Sequence, residues 1–533
     1  MGQAGKGKGG ITRKEMLGTA AGAFASALLG GGWSAGAQVQ SAGEAKVGRH
    51  FTGKNAILFI TDQDRAIQHF PAGWATKNLP GLRRLKRHGL TFENAFTNTC
   101  MCSPARSTLM TGYFPAQHGV KYTLEEDMPD DQYPQVEMPL DLKNIASVMS
   151  AAGYNVVYKG KWHLNKPAGA DWAPSDVGQY GFERWNPPDG GANQDVPQAG
   201  GGDPDNDGRF MNSVGNVEDG TEGALQYLNS TAAQQQPFFM VISLVNPHDV
   251  LFYPSAYEDA GYDDSWLNGP IRLPATVNED LSTKPSVQEQ FRNLFNLSGP
   301  LETPRMKRDY LNFYANLIKA SDASLVDVLD ALTETGLLDD TVVIRTADHG
   351  EMGLAHGGQR QKNFNFYEEA IRVPPVYSNP KLYQRAHATK APVSHVDFLP
   401  TIAGLFGTPE SARAEWQGID YSKKVLDPAS RWPQKYVVFT YDDYQSGQAS
   451  GPYPQPPNRI VSIRERRWKL AKYYDPEGTV PPQWEMYDLH RDPLERKNLA
   501  RRGYKRTPEQ QKNYRRLRRK LGEVRKTRLQ PLG

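Results

Sequence analysis

Cysteine is almost missing from this chain of 533 residues: only Cys100 and Cys102 occur, and one residue separates them. That spacing is too tight for an unstrained bridge, so a disulfide framework is excluded and the pair needs another explanation. An excess of either charge is missing too. Sixty-two basic residues against 59 acidic ones leave a formal charge of +3, too near balance for a protein built mainly to neutralise a nucleic acid backbone. No nucleic-acid motif is present. Beyond the N-terminal leader, no segment approaches the ~20 apolar residues of a membrane span. What remains is a chain 38% apolar and 10% aromatic, enough for a large core and two domains.

The first residues read as a leader rather than as fold. Lys6, Lys8, Arg13 and Lys14 precede a weakly apolar run from Met16 to Leu29, and Ala35-Gly36-Ala37 offers a small-residue cleavage site. The stretch Thr12-Arg13-Lys14-Glu15-Met16-Leu17 resembles a twin-arginine export signal with lysine as its second basic residue. Residues 1–37 are therefore expected to direct export to a bacterial periplasm.

Short apolar runs at Ala56 to Ile60, Asn155 to Tyr158, Phe238 to Val245 and Val342 to Arg345 have the character of buried strands. Helical spacing separates them, at Leu79 to Leu85 and Met306 to Leu332, which predicts a mixed sheet with helices on both faces. Residues 187 to 208 and much of 250 to 304 lack periodicity and predict long loops that shape an entrance. Toward the end, Tyr436 to Thr440, Arg459 to Ile463 and Trp468 to Tyr473 predict strands of a smaller sheet. Leu517, Leu521 and Val524 lie on one face of the basic stretch Tyr514 to Arg528, which predicts a packed terminal helix with solvated arginines.

Four predicted strands end in useful chemistry: Asp62-Gln63, Lys161 with His163, His248, and Asp348-His349. Open α/β sheets place their crevice at the carboxyl ends of strands, where these groups can converge. Taken singly, each has an ordinary reading: an aspartate after a strand caps a turn, and a lone histidine is a satisfied structural group.

The decisive segment is Cys102-Ser103-Pro104-Ala105-Arg106-Ser107-Thr108-Leu109-Met110-Thr111-Gly112. Pro104 suits the first turn of a helix and Gly112 its end. Cys102 then sits at a helix N-terminus, where free N–H groups and the dipole favour an anion. This run resembles the modification signal of the formylglycine-dependent sulfatases, C-x-P-x-R followed by small residues and leucine and ending in T-G. Gly160-Lys161-Trp162-His163-Leu164 resembles the family's G-K-W-H segment, and Asn246-Pro247-His248-Asp249 its P-H segment. Ala347-Asp348-His349-Gly350-Glu351-Met352 matches D-H-G-E-M, and Lys362 stands five residues before Tyr367 as the family's second catalytic lysine does. Met486-Tyr487-Asp488-Leu489, Asp492-Pro493 and Asn498-Leu499 resemble the closing strand and turn of its smaller domain.

The resemblance implies an alkaline-phosphatase-like α/β fold. A large mixed sheet flanked by helices would form the catalytic domain, residues 46–430. A smaller C-terminal α+β subdomain of antiparallel strands would follow, residues 431–533. It implies one divalent metal held by Asp62, Gln63, Asp348 and His349, with an oxygen of modified Cys102 completing the shell. Hard oxygen ligands suit calcium, the first expectation, or magnesium, whereas the imidazole of His349 tilts the site toward manganese. Many relatives carry asparagine at that position and a second aspartate at that of Gln63. Asp64 is placed behind the ligands.

A formylglycine made from Cys102 by a maturation enzyme would, as a hydrate, attack sulfur with one hydroxyl. It would then expel sulfate on deprotonation of the other, with Asp348 helping the first step and His163 the second. Arg106, Lys161 and Lys362 would neutralise the sulfate oxygens, and His248 and Lys362 would protonate the leaving oxygen. The substrate would be a small-molecule or carbohydrate sulfate ester. Two alternatives stay open: a phosphonate monoester or phosphodiester hydrolase of the same superfamily, and a non-catalytic ligand-binding member with an unmodified thiol.

Overall fold

The computed structural model describes residues 51–532 except 127, 130, 193–195, 197–204 and 298. The expected export leader lies outside the described residues. The strands are β1 (Asn55–Thr61), β2 (Gly89–Phe92), β3 (Ala95–Phe96), β4 (Asn155–Gly160), β5 (Phe238–Leu244), β6 (Thr341–Ala347) and β7 (Arg372–Val373). They continue with β8 (Val376–Ser378), β9 (His387–Thr389), β10 (Val393–Ser394), β11 (Tyr436–Tyr441), β12 (Arg459–Glu465), β13 (Trp468–Tyr474) and β14 (Gln483–Asp488).

Seven strands form the main sheet in the order β4-β5-β1-β6-β8-β2-β9. β4, β5, β1 and β6 run parallel, and β8 is antiparallel to both β6 and β2. The four parallel strands are the four apolar runs expected from sequence, each one to three residues longer or shorter than its run. Both faces of β1 are buried, with Ala56, Leu58 and Ile60 in one core and Ile57 and Phe59 in another. That explains a continuous apolar run rather than an alternating one. The 31-residue helix Pro304–Glu334 covers the second face, and the helices Ile145–Ala151 and Phe398–Leu405 cover the first.

β11 to β14 make a separate antiparallel sheet in sequence order. Its two faces are also both covered. Val437, Phe439, Ala471 and Tyr473 pack toward Phe364 and Phe366, whereas Ile463, Leu470 and Met486 pack under Leu517, Leu521 and Val524 of the terminal helix Pro508–Thr527.

The 250 to 304 region departs from expectation, because it carries the 12-residue helix Ser286–Leu297. Its buried face consists of Val287, Gln288 and Phe291. Gln288 is buried with hydrogen bonds to the Tyr473 hydroxyl and Glu485, each 3.0 Å. Val287, Phe291, Leu294 and Phe295 stand at helical spacing, a short period that the surrounding irregular sequence obscures.

Candidate active site

The parallel register brings the carboxyl ends of β1, β4, β5 and β6 to one edge of the sheet. Asp62 and Gln63 follow β1, Lys161 and His163 follow β4, His248 follows β5, and Asp348 and His349 follow β6. Gly160 is required at the end of β4: with φ at 113°, a Cβ there would lie 1.9 Å from the Ser243 carbonyl oxygen. Cys102 opens the helix Cys102–Thr111, which ends at Gly112 with a left-handed φ of 73°.

These elements place Asp62, Cys102, Asp348 and His349 so that their donor atoms all lie within 4.8 Å of one another, fully buried. The Cys102 Sγ is 3.2 Å from His349 Nε2 and 3.6 Å from Asp62 Oδ1. His349 Nδ1 contacts the Gly350 carbonyl oxygen at 3.1 Å. With Nδ1–H donated there, the Nε2 lone pair faces the cluster, as a metal-binding imidazole requires. Two carboxylates and one imidazole converging on a point fit a divalent cation. Gln63 adds an amide oxygen nearby, held by a hydrogen bond from its Nε2 to Glu351 Oε2 (2.6 Å) and accepting one from Lys362 Nζ (2.7 Å). Asp64 pairs with Arg345.

Arg106 is buried with a relative side-chain exposure of 0%. Its Nε donates to Asp348 Oδ2 (3.0 Å), Nη2 to Asp62 Oδ2 (3.2 Å), and Nη1 to Ser243 Oγ (2.7 Å) and the Lys161 carbonyl (3.0 Å). The guanidinium thus clasps the two carboxylates from beneath. Lys161 Nζ lies 2.7 Å from Asp62 Oδ2. Burial opposes the charge on Asp62, but Lys161 and then Arg106 outweigh it and hold its carboxyl well below the usual range. Burial, reinforced by Asp62, pushes the Cys102 thiol up to about 12, so the unmodified sulfur is protonated at neutral pH and a poor nucleophile.

A cavity of about 660 Å³ reaches Cys102, and His163, His248 and Lys362 line it. His163 Nε2 contacts the Leu124 carbonyl oxygen, and the Leu124 N–H donates to Ser103 Oγ at 2.9 Å, which ties the imidazole to the helix carrying Cys102. His163 Nδ1 and His248 Nδ1 are buried without hydrogen-bond partners among the described residues. Burial and then Lys161 hold both imidazoles well below their ordinary pKa, so both are neutral.

Sequence reasoning missed the groups that hold these side chains. Asp189 accepts from the backbone N–H groups of Trp162 (2.8 Å) and His163 (2.6 Å), fixing the turn after β4. It is a single aspartate in a Gly/Asn/Pro-rich loop, with no pattern to distinguish it. Glu351 was visible only as a letter of the D-H-G-E-M motif, and its partners Gln63 and Tyr310 lie far away in sequence.

The sulfatase family profile matches residues 54–408, and the profile described as N-sulphoglucosamine sulphohydrolase, C-terminal, matches residues 357–527. The chain is 26% identical to an ulvan-active sulfatase of Formosa agariphila, over 84% of this chain and 77% of that one. It is 28% identical to a Delta 4,5-hexuronate-2-O-sulfatase of Bacteroides thetaiotaomicron, over 78% and 77% of the two chains. Among solved structures, a 2-O glycosaminoglycan sulfatase superposes with a TM-score of 0.64 at 22% identity, covering 89% of this chain and 92% of that one. A phosphonate monoester hydrolase from Silicibacter pomeroyi shares the fold with a TM-score of 0.62, also at 22% identity, covering 89% and 96%. With a family match over most of its length and the family's motifs gathered at one sheet edge, the chain belongs to the sulfatases, the sulfuric ester hydrolases of alkaline-phosphatase-like fold.

Proposed function

We propose that this enzyme hydrolyses sulfate monoesters to an alcohol or phenol and sulfate, using a formylglycine made from Cys102 and one divalent metal. The observation that carries the reading is the convergence of Asp62, Asp348 and His349 on the Cys102 sulfur at the end of a cavity. The sulfur stands where the modified side chain would carry its oxygens. A hydrated aldehyde there supplies a nucleophilic hydroxyl and a second hydroxyl whose deprotonation releases sulfate, which serine could not. A divalent ion held by Asp62, Gln63, Asp348 and His349 supplies positive charge beside it; calcium is the first assignment, with manganese and magnesium the alternatives.

The chain's own groups do the rest. Arg106 keeps the two carboxylates in register, and Lys161 and Lys362 supply charge for the sulfonate oxygens. With Nε2 committed to Leu124, His163 takes a proton at Nδ1. His248 and Lys362 deliver a proton to the leaving oxygen. Because His248 is neutral in the free enzyme, it would need the negative charge of bound sulfate ester to gain that proton. The substrate is assigned as a small-molecule or carbohydrate sulfate ester, and the relatives named for ulvan and hexuronate 2-O-sulfate support the carbohydrate side. We assign residues 46–430 to the catalytic domain, 431–533 to the smaller one, and 1–37 to periplasmic export.

Mass spectrometry of the peptide containing Cys102, from enzyme made with the maturation system, is the test. The expected peptide is lighter than its thiol form and reacts with hydrazides; Cys102→Ala abolishes turnover and Cys100→Ala retains most of it. A wholly unmodified Cys102 in fully active enzyme would sink the mechanism. A phosphonate monoester or phosphodiester preference is separated by rates on paired aryl sulfate and aryl phosphonate substrates.

A further inference from the structure

Between Arg496 and Arg528 the chain carries 15 lysines and arginines against two glutamates, although the whole protein has a formal charge of only +3. Packing explains the buried face of the terminal helix and a minority of these cations. Arg516 and Lys520 pair with Glu465, and Arg467 and Arg491 occupy Glu509. Lys512, Arg515, Arg519 and Lys526 are exposed and form no ion pair among the described residues. At helical spacing they make one outward stripe about 21 Å long, in which like charges three and four residues apart cost helix stability. One exposed acid, Glu523, lies in this stripe, four residues after Arg519 and three before Lys526; a face needed only for solubility would balance its charges more evenly.

A second group of cations connects this helix to the cavity. Arg459, Lys472 and Tyr474 lie on the face of the small sheet that carries the helix, since Arg459 pairs in register with Tyr474 and Lys472 lies two residues before it. Arg459 sits over the ring of Tyr444 at 4.5 Å, and Tyr444 directly precedes Gln445 of the cavity wall. Arg525 and Lys472 lie over Tyr474 at 5.4 and 5.6 Å, and Arg518 lies over Trp484 at 4.7 Å and Tyr514 at 5.5 Å. Cations and half-exposed aromatic rings therefore alternate from the cavity wall to the helix, with Asp442 the acid that faces Arg459 and Tyr474.

We propose that this basic and aromatic surface, from Arg459 to the outer face of the helix Pro508–Thr527, binds an extended sulfated polysaccharide and holds it beside the cavity. Repeating anionic groups match the spaced cations, and sugar rings suit aromatic surfaces in a way that a bare counterion does not. A membrane is the poorer partner, because the outer face of the helix exposes no aliphatic or aromatic side chain to insert. Binding here does not require hydrolysis, so it stands or falls separately from the proposed reaction.

The test measures binding of fluorescent dextran sulfate, with neutral dextran as control, to full-length mature enzyme at low and physiological ionic strength. Two combined variants are compared: Lys512→Gln with Arg515→Gln, Arg519→Gln and Lys526→Gln, and Arg459→Gln with Lys472→Gln. The first set is exposed at all four positions, so its fold is expected to survive. Wild type is expected to bind dextran sulfate in a salt-dependent manner and to ignore dextran. The fourfold variant is expected to lose affinity about tenfold or more, and the double variant to lose it measurably, with 4-nitrophenyl sulfate turnover unchanged in both. Dextran sulfate binding unaltered in either variant would overturn the proposal. So would phosphatidylglycerol vesicles or duplex DNA that bind this face and are not displaced by dextran sulfate.

Discussion

Gln63 donates its side-chain amide to Glu351 across 2.6 Å, and this bond decides which way its carbonyl oxygen points. Glu351 is itself held by the Tyr310 hydroxyl (2.6 Å) and the backbone N–H groups of Gly353 and Gln361 (3.1 and 3.0 Å). It therefore orients a proposed metal ligand without lining the cavity itself. Glu351→Ala is expected to weaken metal retention and lower turnover by about 10- to 100-fold, the usual effect of removing such a support. Elemental analysis after dialysis, read beside kcat, checks it. Normal metal content with normal kcat would show that Gln63 needs no such support.

The metal assignment itself makes a sharper claim. Chelation or Asp348→Asn should cut activity by several orders of magnitude, because the carboxylate is assigned to the ion and also anchors Arg106. His349→Asn should be milder and should shift preference toward calcium, since an oxygen donor replaces nitrogen. Activity and bound metal measured with calcium, manganese and magnesium separate the outcomes, and unchanged metal content in both Asp62→Ala and Asp348→Ala would remove the ligand assignment.

How much of this was legible in the sequence follows from how each residue earns its place. The parallel strands announced themselves because both faces are buried, which forces unbroken runs such as Ala56 to Ile60. The candidate site residues announced themselves because each lies at a strand end or in a motif. Their supports did not, because Asp189, Ser243 and Glu351 work through partners distant in the chain and obey no period. Arg106 was legible as a cation of the motif, but its hydrogen bonds to Asp62 and Asp348 were not. Sequence supplies a residue's charge; only the packed fold supplies its partner.

A buried charge cluster near the cavity predicts pH-dependent stability. His356 contacts Glu279 Oε2 at 2.8 Å and Glu369 Oε2 at 3.5 Å and stacks on Tyr367 at 3.6 Å. Burial lowers its pKa, but Glu369 and Glu279 win and raise it from 6.5 to about 9. Its stabilising contribution is thus fully present below 6.5 and is lost as pH rises through about 9. Burial also raises Glu495 from 4.5 to about 7, which lowers stability across that lower range, so the clean window lies above it. Thermal melts should show wild type losing stability between neutral pH and about 9. His356→Gln should be weaker at neutral pH by about 3–5 kcal/mol, the cost of breaking a buried pair, and should lack that decline. Parallel profiles for the two proteins would assign the pH dependence elsewhere.

Proton delivery can be separated from charge placement by varying the leaving group. A nitrophenolate departs readily as an anion, whereas a poor leaving group needs its proton while the bond to sulfur breaks. His248 lines the cavity and Arg106 does not, being enclosed between the two carboxylates. His248→Ala should therefore slow poor leaving groups by about a hundredfold or more while sparing good ones. Arg106→Ala should depress all of them alike, because it disturbs Asp62 and Asp348 whatever the leaving group. The measurement is a series of aryl sulfates of rising phenol pKa, with log rate plotted against that pKa under conditions where cleavage limits turnover. A steeper slope in His248→Ala alone assigns the acid to His248. Parallel lines for all three enzymes would pass that role to Lys362, whose ammonium already lies 2.7 Å from the oxygen of Gln63 and faces the same cavity.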